Sequence, residues 1–238
     1  IAGALGDLQD RGERASLVGL NKLIAAEAEA KGLLKSKLGL KLYGFESRPL
    51  VYCLANTIEP YLPGLSGDEG ASLKFIKSLG IDPVKPDGSW RSQADLSNNE
   101  LRTLLNGIIK YLISQGLSSK EAERVVGTLY IFPNEAPDSP LRDAREFASS
   151  INACGRLGKY GLGVSICMGD RGKALEELKQ TLQEYRKTIS RYLNWIQTNN
   201  ESIKILPYVQ AINGGTVVDD RMIGTIISIT YSTKPFSL

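Results

Sequence analysis

Apolar residues recur at helical spacing in several parts of the chain, and each such run predicts an amphipathic helix. The first run spans residues 15–31, and Gly32 is placed to end it. Its predicted buried face consists of Leu17, Leu20, Ile24 and Ala28. A connection containing Gly39 and Gly44 leads to a second apolar run, from Pro49 to Ile58, which has Pro in its first turn.

Between residues 60 and 140 the chain is punctuated by Pro, Gly and Ser, and three runs begin with a capping-box pattern. The pairs are Ser66 with Glu69, Ser97 with Glu100, and Ser118 with Glu121. They predict helices over residues 69–79, 100–115 and 120–129. Trp90 lies in the irregular stretch between the first two helices, either as a partner contact or packed over the helical core, which is the commoner arrangement.

The last third of the chain predicts a helix over residues 141–157 and then the longest helix, over residues 171–198, with Asp170 as its cap. A strand-like run over residues 203–212 follows, then a turn at Gly214 and Gly215. Asp219 is placed to cap a final helix. Together the patterns predict a helix-rich α/β protein.

Composition places the chain among ordinary globular proteins, with 42% hydrophobic and 23% charged residues in 238. The 29 basic and 26 acidic residues give a net charge of +3, too slight an excess to predict nucleic-acid binding by itself. No apolar run is long enough to cross a bilayer and no leader pattern is visible, so we expect a cytoplasmic protein without membrane contact. The chain starts abruptly at Ile1 without Met, and we expect it to be truncated or processed.

The chain contains no histidine, which excludes catalytic Ser-His and Cys-His pairs and histidine metal ligands. Its three cysteines are far apart and set among apolar neighbours. We expect Cys53, Cys154 and Cys167 to be buried thiols in a reducing compartment, and neither a disulfide framework nor a zinc site.

The segment Ile151 to Gly158, INACGRLG, carries the most unusual local pattern. Small residues around Arg156 would let the backbone approach another surface while the guanidinium grips a phosphate. The alternative is a helix C-terminus that glycine ends and whose arginine complements the helix dipole. Spacing alone leaves both open and slightly favours the second.

Asp7 ends an apolar, Gly-rich turn, GALGD, and could be either a metal ligand or a turn carboxylate. One carboxylate does not hold Mg²⁺ or Mn²⁺, and the nearby Asp10 does not complete a cluster. The pair Asp219 and Asp220 is interpreted as a helix cap.

GALGD resembles the fourth metal-binding motif of DHH phosphoesterases, and INACGRLG resembles the R-x-N-A-A-G-R string of RecJ single-strand exonucleases. Their order, with a long helix after the second motif, also fits. The chain looks most similar to archaeal RecJ-like proteins, a group that includes a GINS-associated nuclease. The resemblance covers most of the chain and is most specific over residues 145–170.

The resemblance implies four parts. Residues 1–58 would be the C-terminal part of a DHH-like domain, and residues 59–140 a helical insertion. Residues 141–200 would hold the NACGR segment and the long connecting helix, and residues 201–238 would start a DHHA1-like lobe. A surface of the insertion is the expected partner contact.

The resemblance also implies site residues. Asp7 matches a ligand of the two divalent ions, Mn²⁺ or Mg²⁺, that activate water in this family. Arg156, with Asn152 and Lys159 beside it, would contact phosphate or DNA. The early Asp motifs, the Asp-His-His motif and the Gly-Gly-His segment have no counterpart here.

Two functions follow from that pattern, and a third from fold alone. The first is a DNA-replication accessory protein that binds GINS, the MCM helicase and single-stranded DNA, without catalysis or a cofactor in this chain. The second is a fragment of a metal-dependent single-strand exonuclease whose other motifs lie elsewhere. The third is a helical scaffold that shares only the fold.

Overall fold

The structure is a computed structural model that describes residues 1–45, 48–57, 60 and 62–233. The end predicted for the second helix, Ile58, and the predicted domain boundary at Ile58 and Glu59 lie outside these residues. The chain divides into two compact units, Ile1–Ser149 (unit 1) and Ser150–Leu238 (unit 2). The prediction of a helix-rich α/β protein is confirmed, because the described residues form ten α-helices and two small two-stranded sheets. The four-part division of the chain stays a prediction.

Unit 1 is mainly helical. Its α-helices are α1 (Ala2–Gly6), α2 (Gly19–Ala30), α3 (Leu50–Asn56), α4 (Glu69–Ser78), α5 (Asn98–Ser114), α6 (Ser119–Ala122) and the first half of α7 (Ala144–Arg156). Its strands are β1 (Lys35–Leu40) and β2 (Val126–Ile131). The strands pair antiparallel, from Lys35 opposite Ile131 to Leu40 opposite Val126.

The β1–β2 pair corrects two predictions, a loop around Gly39 and a helix over residues 120–129. The helix ends at Ala122 and passes through a short 3-10 turn into β2. Val126, Thr128 and Tyr130 favour an extended backbone, and antiparallel pairing with the remote strand β1 stabilises the segment as a strand. The sequence KSKLGL of β1 is largely exposed, so it carries no alternation of apolar and polar residues by which a strand is recognised.

Among the residues of unit 1 that the structure describes, two apolar clusters are prominent. The larger one joins α3, α4 and α5 through fully buried side chains that include Leu50, Leu54, Ile76, Leu104 and Ile108. The smaller one contains Leu5, Leu17, Ala25, Leu34, Tyr130, Ala144 and Ala148. Burial of a single Leu or Ile side chain stabilises the fold by about 1.5–3 kcal/mol, so these clusters dominate the stability of the unit.

The buried face predicted for residues 15–31 is partly wrong. Leu17 is buried but precedes α2, which begins only at Gly19. Leu20 and Ile24 are exposed, because the face of α2 that packs in this unit carries Ala25 and Ala28, whose small side chains allow a close approach. In unit 1 the larger side chains of α2 therefore remain on its surface.

Two of the three predicted capping boxes are confirmed. Ser97 with Glu100 begins α5, and Ser118 with Glu121 begins α6. The box at Ser66 is wrong, because Asp68 caps α4 by accepting a hydrogen bond from the Ala71 amide. The Ser66 hydroxyl instead donates to the Thr57 carbonyl oxygen and accepts from the Leu62 amide.

Unit 2 contains the second half of α7, then α8 (Tyr160–Cys167), α9 (Lys173–Thr198) and α10 (Asp220–Thr233). A hairpin of β3 (Ile203–Ile205) and β4 (Gln210–Ile212) precedes α10. One apolar cluster of this unit lies between α9 and α10 and contains Ile189, Tyr192, Ile196, Val218, Met222, Ile226 and Ile229. No helix within the described ranges is both long and apolar enough to span a membrane.

The caps of the long helices follow the predictions in part. The Asp219 carboxylate accepts a hydrogen bond from the Arg221 amide at the start of α10, which confirms it as a cap. Asp170 is not the capping residue of α9, which begins after Gly172. The Asp170 carboxylate accepts from the Gly172 amide, so it stabilises the turn that leads into the helix.

Candidate phosphate-contacting site

The NACGR segment forms the end of α7. Ala153 and Cys154 are buried, whereas Asn152 and Arg156, one helical turn apart, are exposed. The Lys159 amide donates to the Cys154 carbonyl oxygen at 2.8 Å, and Gly158 adopts the left-handed conformation with φ +72°. This hydrogen bond and the left-handed glycine are those of a Schellman C-cap, so the helix-terminus interpretation of this segment is confirmed.

Arg156 nevertheless has a defined partner. Its guanidinium donates a hydrogen bond of 2.6 Å to the backbone carbonyl oxygen of Arg221, in the first turn of α10. Within the part of the chain that the structure describes, the other Arg156 donors have no protein acceptor and face solvent. The side chain is thus oriented by one contact while most of its N–H groups remain available to an anion.

Arg221 is a functional candidate that the sequence reasoning missed. Its guanidinium forms a two-pronged ion pair with Asp219, with Nε–Oδ1 at 3.0 Å and Nη2–Oδ2 at 2.8 Å. The hydrogen bonds from Arg221 hold the pKa of Asp219 far below its ordinary value, so the pair stays ionised. The sequence pattern at Asp219 and Asp220 predicts a helix cap and assigns no role to the Arg221 side chain.

Gly158 makes the approach of Arg221 sterically feasible. A Cβ atom at Gly158 would lie 2.4 Å from Nη1 of Arg221, well inside van der Waals contact. Gly155, three residues earlier on α7, has open space around its Cα. The two glycines therefore differ: the left-handed φ of Gly158 disfavours any side chain at that position and the Arg221 guanidinium would have to shift, whereas Gly155 has neither constraint.

Lys159 points to a different neighbour. Its ammonium donates to Glu184 at 2.8 Å and to the Thr181 hydroxyl at 3.2 Å, both on α9. Asn152 and Arg156 thus share an exposed face of α7, whereas the Lys159 ammonium contacts α9, and a joint role of the three residues in phosphate binding stays a prediction. Arg156 contacts the start of α10, Lys159 is paired with a carboxylate on α9, and Asn152 lies exposed on α7.

The local charge is therefore modest. Asp219 neutralises Arg221 and Glu184 neutralises Lys159, which leaves Arg156 as the cation of this group without an ion pair to a described residue. One such arginine can clamp a single phosphate through charge-assisted hydrogen bonds. It cannot follow a polynucleotide backbone over many phosphates.

Asp7 lies at the C-terminal end of α1, a short helix where a tight turn was predicted. Its exposed carboxylate accepts a hydrogen bond of 2.7 Å from the Gln9 side chain. The neighbouring Asp10 forms an ion pair with Arg145. Among the described residues no three acidic or cysteine side chains come together as a metal site would require, so Asp7 alone does not fit Mn²⁺ or Mg²⁺.

The cysteines follow the prediction in part. Cys53 and Cys154 are buried, and burial raises the pKa of both thiols. Cys167 is exposed, so the prediction of three buried thiols is wrong there. It ends α8, whose buried positions are Leu162, Gly163 and Ile166, and the next residue along the helix faces outward.

Trp90 is not packed into the helical core but is 48% exposed. It pairs with Val84 in an isolated antiparallel bridge, so the stretch predicted to be irregular contains a small hairpin. This hairpin lies within residues 42–126, the region that matches a known domain family.

Residues 42–126 match the DHH-CID domain family. Over 99% of its length the chain is similar to an uncharacterized protein of Methanocaldococcus jannaschii, with 29% identity over 239 residues. The match covers 46% of that protein, so the chain spans less than half of the length of this curated relative. The resemblance to DHH proteins is confirmed to this extent: the chain contains a DHH-CID domain, which lies within unit 1.

Proposed function

We propose that this chain is a RecJ-type DNA-replication accessory protein and that it has no nuclease activity of its own. Its DHH-CID domain binds the GINS complex, with the MCM helicase as a further partner of the assembly. Arg156 contributes one contact to the backbone of single-stranded DNA. The chain itself needs no cofactor for either role.

The observation that carries this proposal is the DHH-CID match over a well-packed region of unit 1. Residues 42–126 contain nearly all of the larger apolar cluster of unit 1. The motif resembling a DHH metal site, GALGD, precedes this region, and the RecJ-like string INACGRLG follows it. A compact domain inserted between two motifs of a nuclease family is better suited to binding a partner than to hydrolysis.

The composition and geometry around Asp7 support a binding role. The chain has no histidine, and Asp7 lies exposed with Gln9 as its hydrogen-bond donor. Hydrolysis by two metal ions requires several oxygen or nitrogen ligands around each ion. The described residues do not supply that set.

Co-elution tests the proposal. The purified chain and the GINS complex of the same organism are passed together over a size-exclusion column, and labelled single-stranded DNA is incubated with the chain and Mn²⁺. We expect a shared peak and intact DNA. Separate peaks would refute the GINS-binding role, and metal-dependent DNA cleavage by the pure chain would refute the non-catalytic one.

A second candidate is a piece of an active single-strand exonuclease. The M. jannaschii relative is more than twice as long as the aligned region, so ligands for Mn²⁺ or Mg²⁺ can come from sequence outside it. In that case Asp7 would join a complete metal site. Metal-dependent exonuclease activity of a longer protein that contains this sequence, abolished by Asp7→Ala, would support this candidate.

A further inference from the structure

Residues 83–91 form a tight hairpin, which we name the Trp90 hairpin. Its turn runs from Lys85 to Gly88, with the Gly88 amide donating to the Lys85 carbonyl oxygen at 2.9 Å. The Lys85 amide donates to the Ser89 carbonyl oxygen, and Gly88 has φ +83°. Pro86 and Asp87 in the middle of the turn, with glycine in the left-handed region after them, favour this turn strongly.

Arg91 anchors the Trp90 hairpin to the DHH-CID domain. Its guanidinium donates to both carboxylate oxygens of Glu100, at 2.8 and 3.0 Å, and to the carbonyl oxygens of Asp82 and Asp95. Its own carbonyl oxygen accepts from the Leu50 amide at the start of α3. A hairpin held at its base in this way loses little conformational entropy when it binds another molecule.

This rigid hairpin carries a large aromatic side chain in solvent. Trp90 is 48% exposed and lies directly opposite Val84, so both side chains project from the same face of the strand pair. Tryptophan is the residue type most enriched in the energetically dominant positions of protein interfaces. It is also the aromatic ring that attracts a cation most strongly.

Negatively charged side chains outnumber positively charged ones around Trp90. Lys85 is paired with Asp95 at 2.7 Å and Arg91 with Glu100, so both cations of the hairpin are neutralised within the domain. Asp82 and Asp87 are exposed and form no ion pair with a described cation. They accept hydrogen bonds from the Val84 and Ser89 amides.

An open hollow beside the strand pair adds a place for a side chain. It is lined by Asp82, Val84, Lys85, Asp87, Arg91 and Asp95. The carboxylates of Asp82, Asp87, Asp95 and Glu100 outnumber the cations Lys85 and Arg91 here, so the hollow and the aliphatic wall of Val84 are complementary to a long side chain that ends in a positive charge.

We propose that the Trp90 hairpin is the contact by which the DHH-CID domain recognises a protein partner, and that the partner segment is basic. An arginine or lysine of the partner stacks on Trp90 and pairs with Asp82 and Asp87. This inference deepens the proposed function, since it takes the DHH-CID domain to be a binding domain and names the chemistry that it selects.

The first arm of the test needs no natural partner. The chain contains two tryptophans, so Trp195→Phe leaves Trp90 as the only tryptophan reporter. The variant is titrated with a peptide of alternating Gly and Arg and, separately, with the same peptide carrying citrulline instead of Arg. We expect a saturable change in Trp90 emission, with the citrulline peptide binding about tenfold more weakly. Equal responses to the two peptides, or no response, would overturn the proposal.

The charge requirement is tested in the same assay with Asp82→Asn combined with Asp87→Asn. Asparagine retains the side-chain oxygen that accepts the turn hydrogen bonds, so the hairpin keeps its shape. The matched control is Asp138→Asn, at another exposed carboxylate of unit 1. We expect only the double variant to weaken binding of the Arg peptide, by about fivefold to tenfold. Equal binding by both variants would contradict the role of the carboxylates.

The second arm uses the GINS complex and Trp90→Ala, with Tyr208→Ala as the control. Tyr208 is an aromatic residue of unit 2 that is 96% exposed. We expect about a 30-fold loss of affinity for Trp90→Ala and less than about twofold for the control. Binding of GINS that Trp90→Ala leaves unchanged would refute the inference and keep the proposed function. A Trp90 response to the Arg peptide without any GINS binding would refute the proposed function and keep the inference.

Discussion

The guanidinium of Arg156 donates a hydrogen bond of 2.6 Å to the backbone carbonyl oxygen of Arg221. This contact joins the end of α7 to the first turn of α10 and orients a side chain that would otherwise sample many rotamers. The guanidinium of Arg221 is already paired with Asp219. Arg156 forms no ion pair with a described residue, so of these two arginines it is the one available to bind an external anion.

Replacing Arg156 should weaken DNA binding in a way that depends on salt. For Arg156→Ala we expect about tenfold lower affinity for single-stranded DNA, because one charge-assisted phosphate contact is lost. The slope of log affinity against log salt should fall by about 1. Fluorescence anisotropy across a salt series measures both quantities.

Arg102→Ala is the matched control, because it removes the same charge from an exposed position on α5 in unit 1. The affinity of the Arg102→Ala variant for single-stranded DNA should stay close to that of the wild type. Equal losses for the two variants would show that net charge, and not the position of Arg156, determines binding.

The two glycines of the NACGR segment should respond oppositely to alanine. Gly158→Ala should lower the free energy of unfolding by at least about 1–2 kcal/mol, because φ is +72° and the new methyl group would meet Arg221. Gly155→Ala should raise it by about 0.5–1 kcal/mol, because the site is helical and open. Urea denaturation followed by circular dichroism provides the comparison, and a stable Gly158→Ala variant would refute this account of the glycine.

The Glu100 carboxylate should make stability depend on acid pH. Hydrogen bonds from Arg91, and then those from the Ser97 amide and hydroxyl, lower the pKa of Glu100 from 4.5 to about 2. A group whose pKa is lower in the folded state contributes stability above its unfolded pKa. That contribution should therefore be complete above pH 4.5 and disappear as the pH falls towards 2.

Glu100→Gln should flatten this dependence and reduce stability at neutral pH by about 1–3 kcal/mol, since the ion pair with Arg91 is lost. Glu121→Gln is the control, because Glu121 occupies the same capping-box position on α6 without a comparable arginine fork. Thermal melts between pH 2 and pH 7 should show the larger effect for Glu100. The same pH profile for Glu100→Gln and the wild type would contradict the assignment.

The thiols should differ in reactivity. Cys167 is exposed, whereas Cys53 and Cys154 are buried and have raised pKa values. In the folded chain we expect one thiol to react quickly with a disulfide reagent at neutral pH and the other two only after unfolding. Cys167→Ser should remove the fast phase, and a fast phase that persists in this variant would show that a buried thiol is accessible.

Several local signals in the sequence predicted local structure correctly, although the capping box at Ser66 did not. Both confirmed capping boxes, at Ser97 and Ser118, consist of residues only three positions apart, and the Asp219 cap acts within two residues. The strand β2 was missed because its partner β1 is remote in the chain and too polar to be recognised. Whether such a segment forms a strand depends on pairing with a distant part of the chain more than on the β-propensity of its own residues.

In the candidate site, too, local sequence indicates single residues but not their distant partners. The RecJ-like string indicates Arg156 as a candidate, but its partner Arg221 is 65 residues further along the chain. Nothing around Arg221 in the sequence indicates that its guanidinium lies against Gly158. The exposure of Trp90 likewise follows from how Arg91 anchors the hairpin, which requires contacts with Glu100 and Leu50.

Calorimetric titration of the GINS complex into the full chain tests the central claim most directly. The account predicts a saturable heat with a defined stoichiometry, and no loss of single-stranded DNA when Mn²⁺ is added to the same complex. Absence of binding by the folded chain would contradict the account, since it would remove the role proposed for the DHH-CID domain.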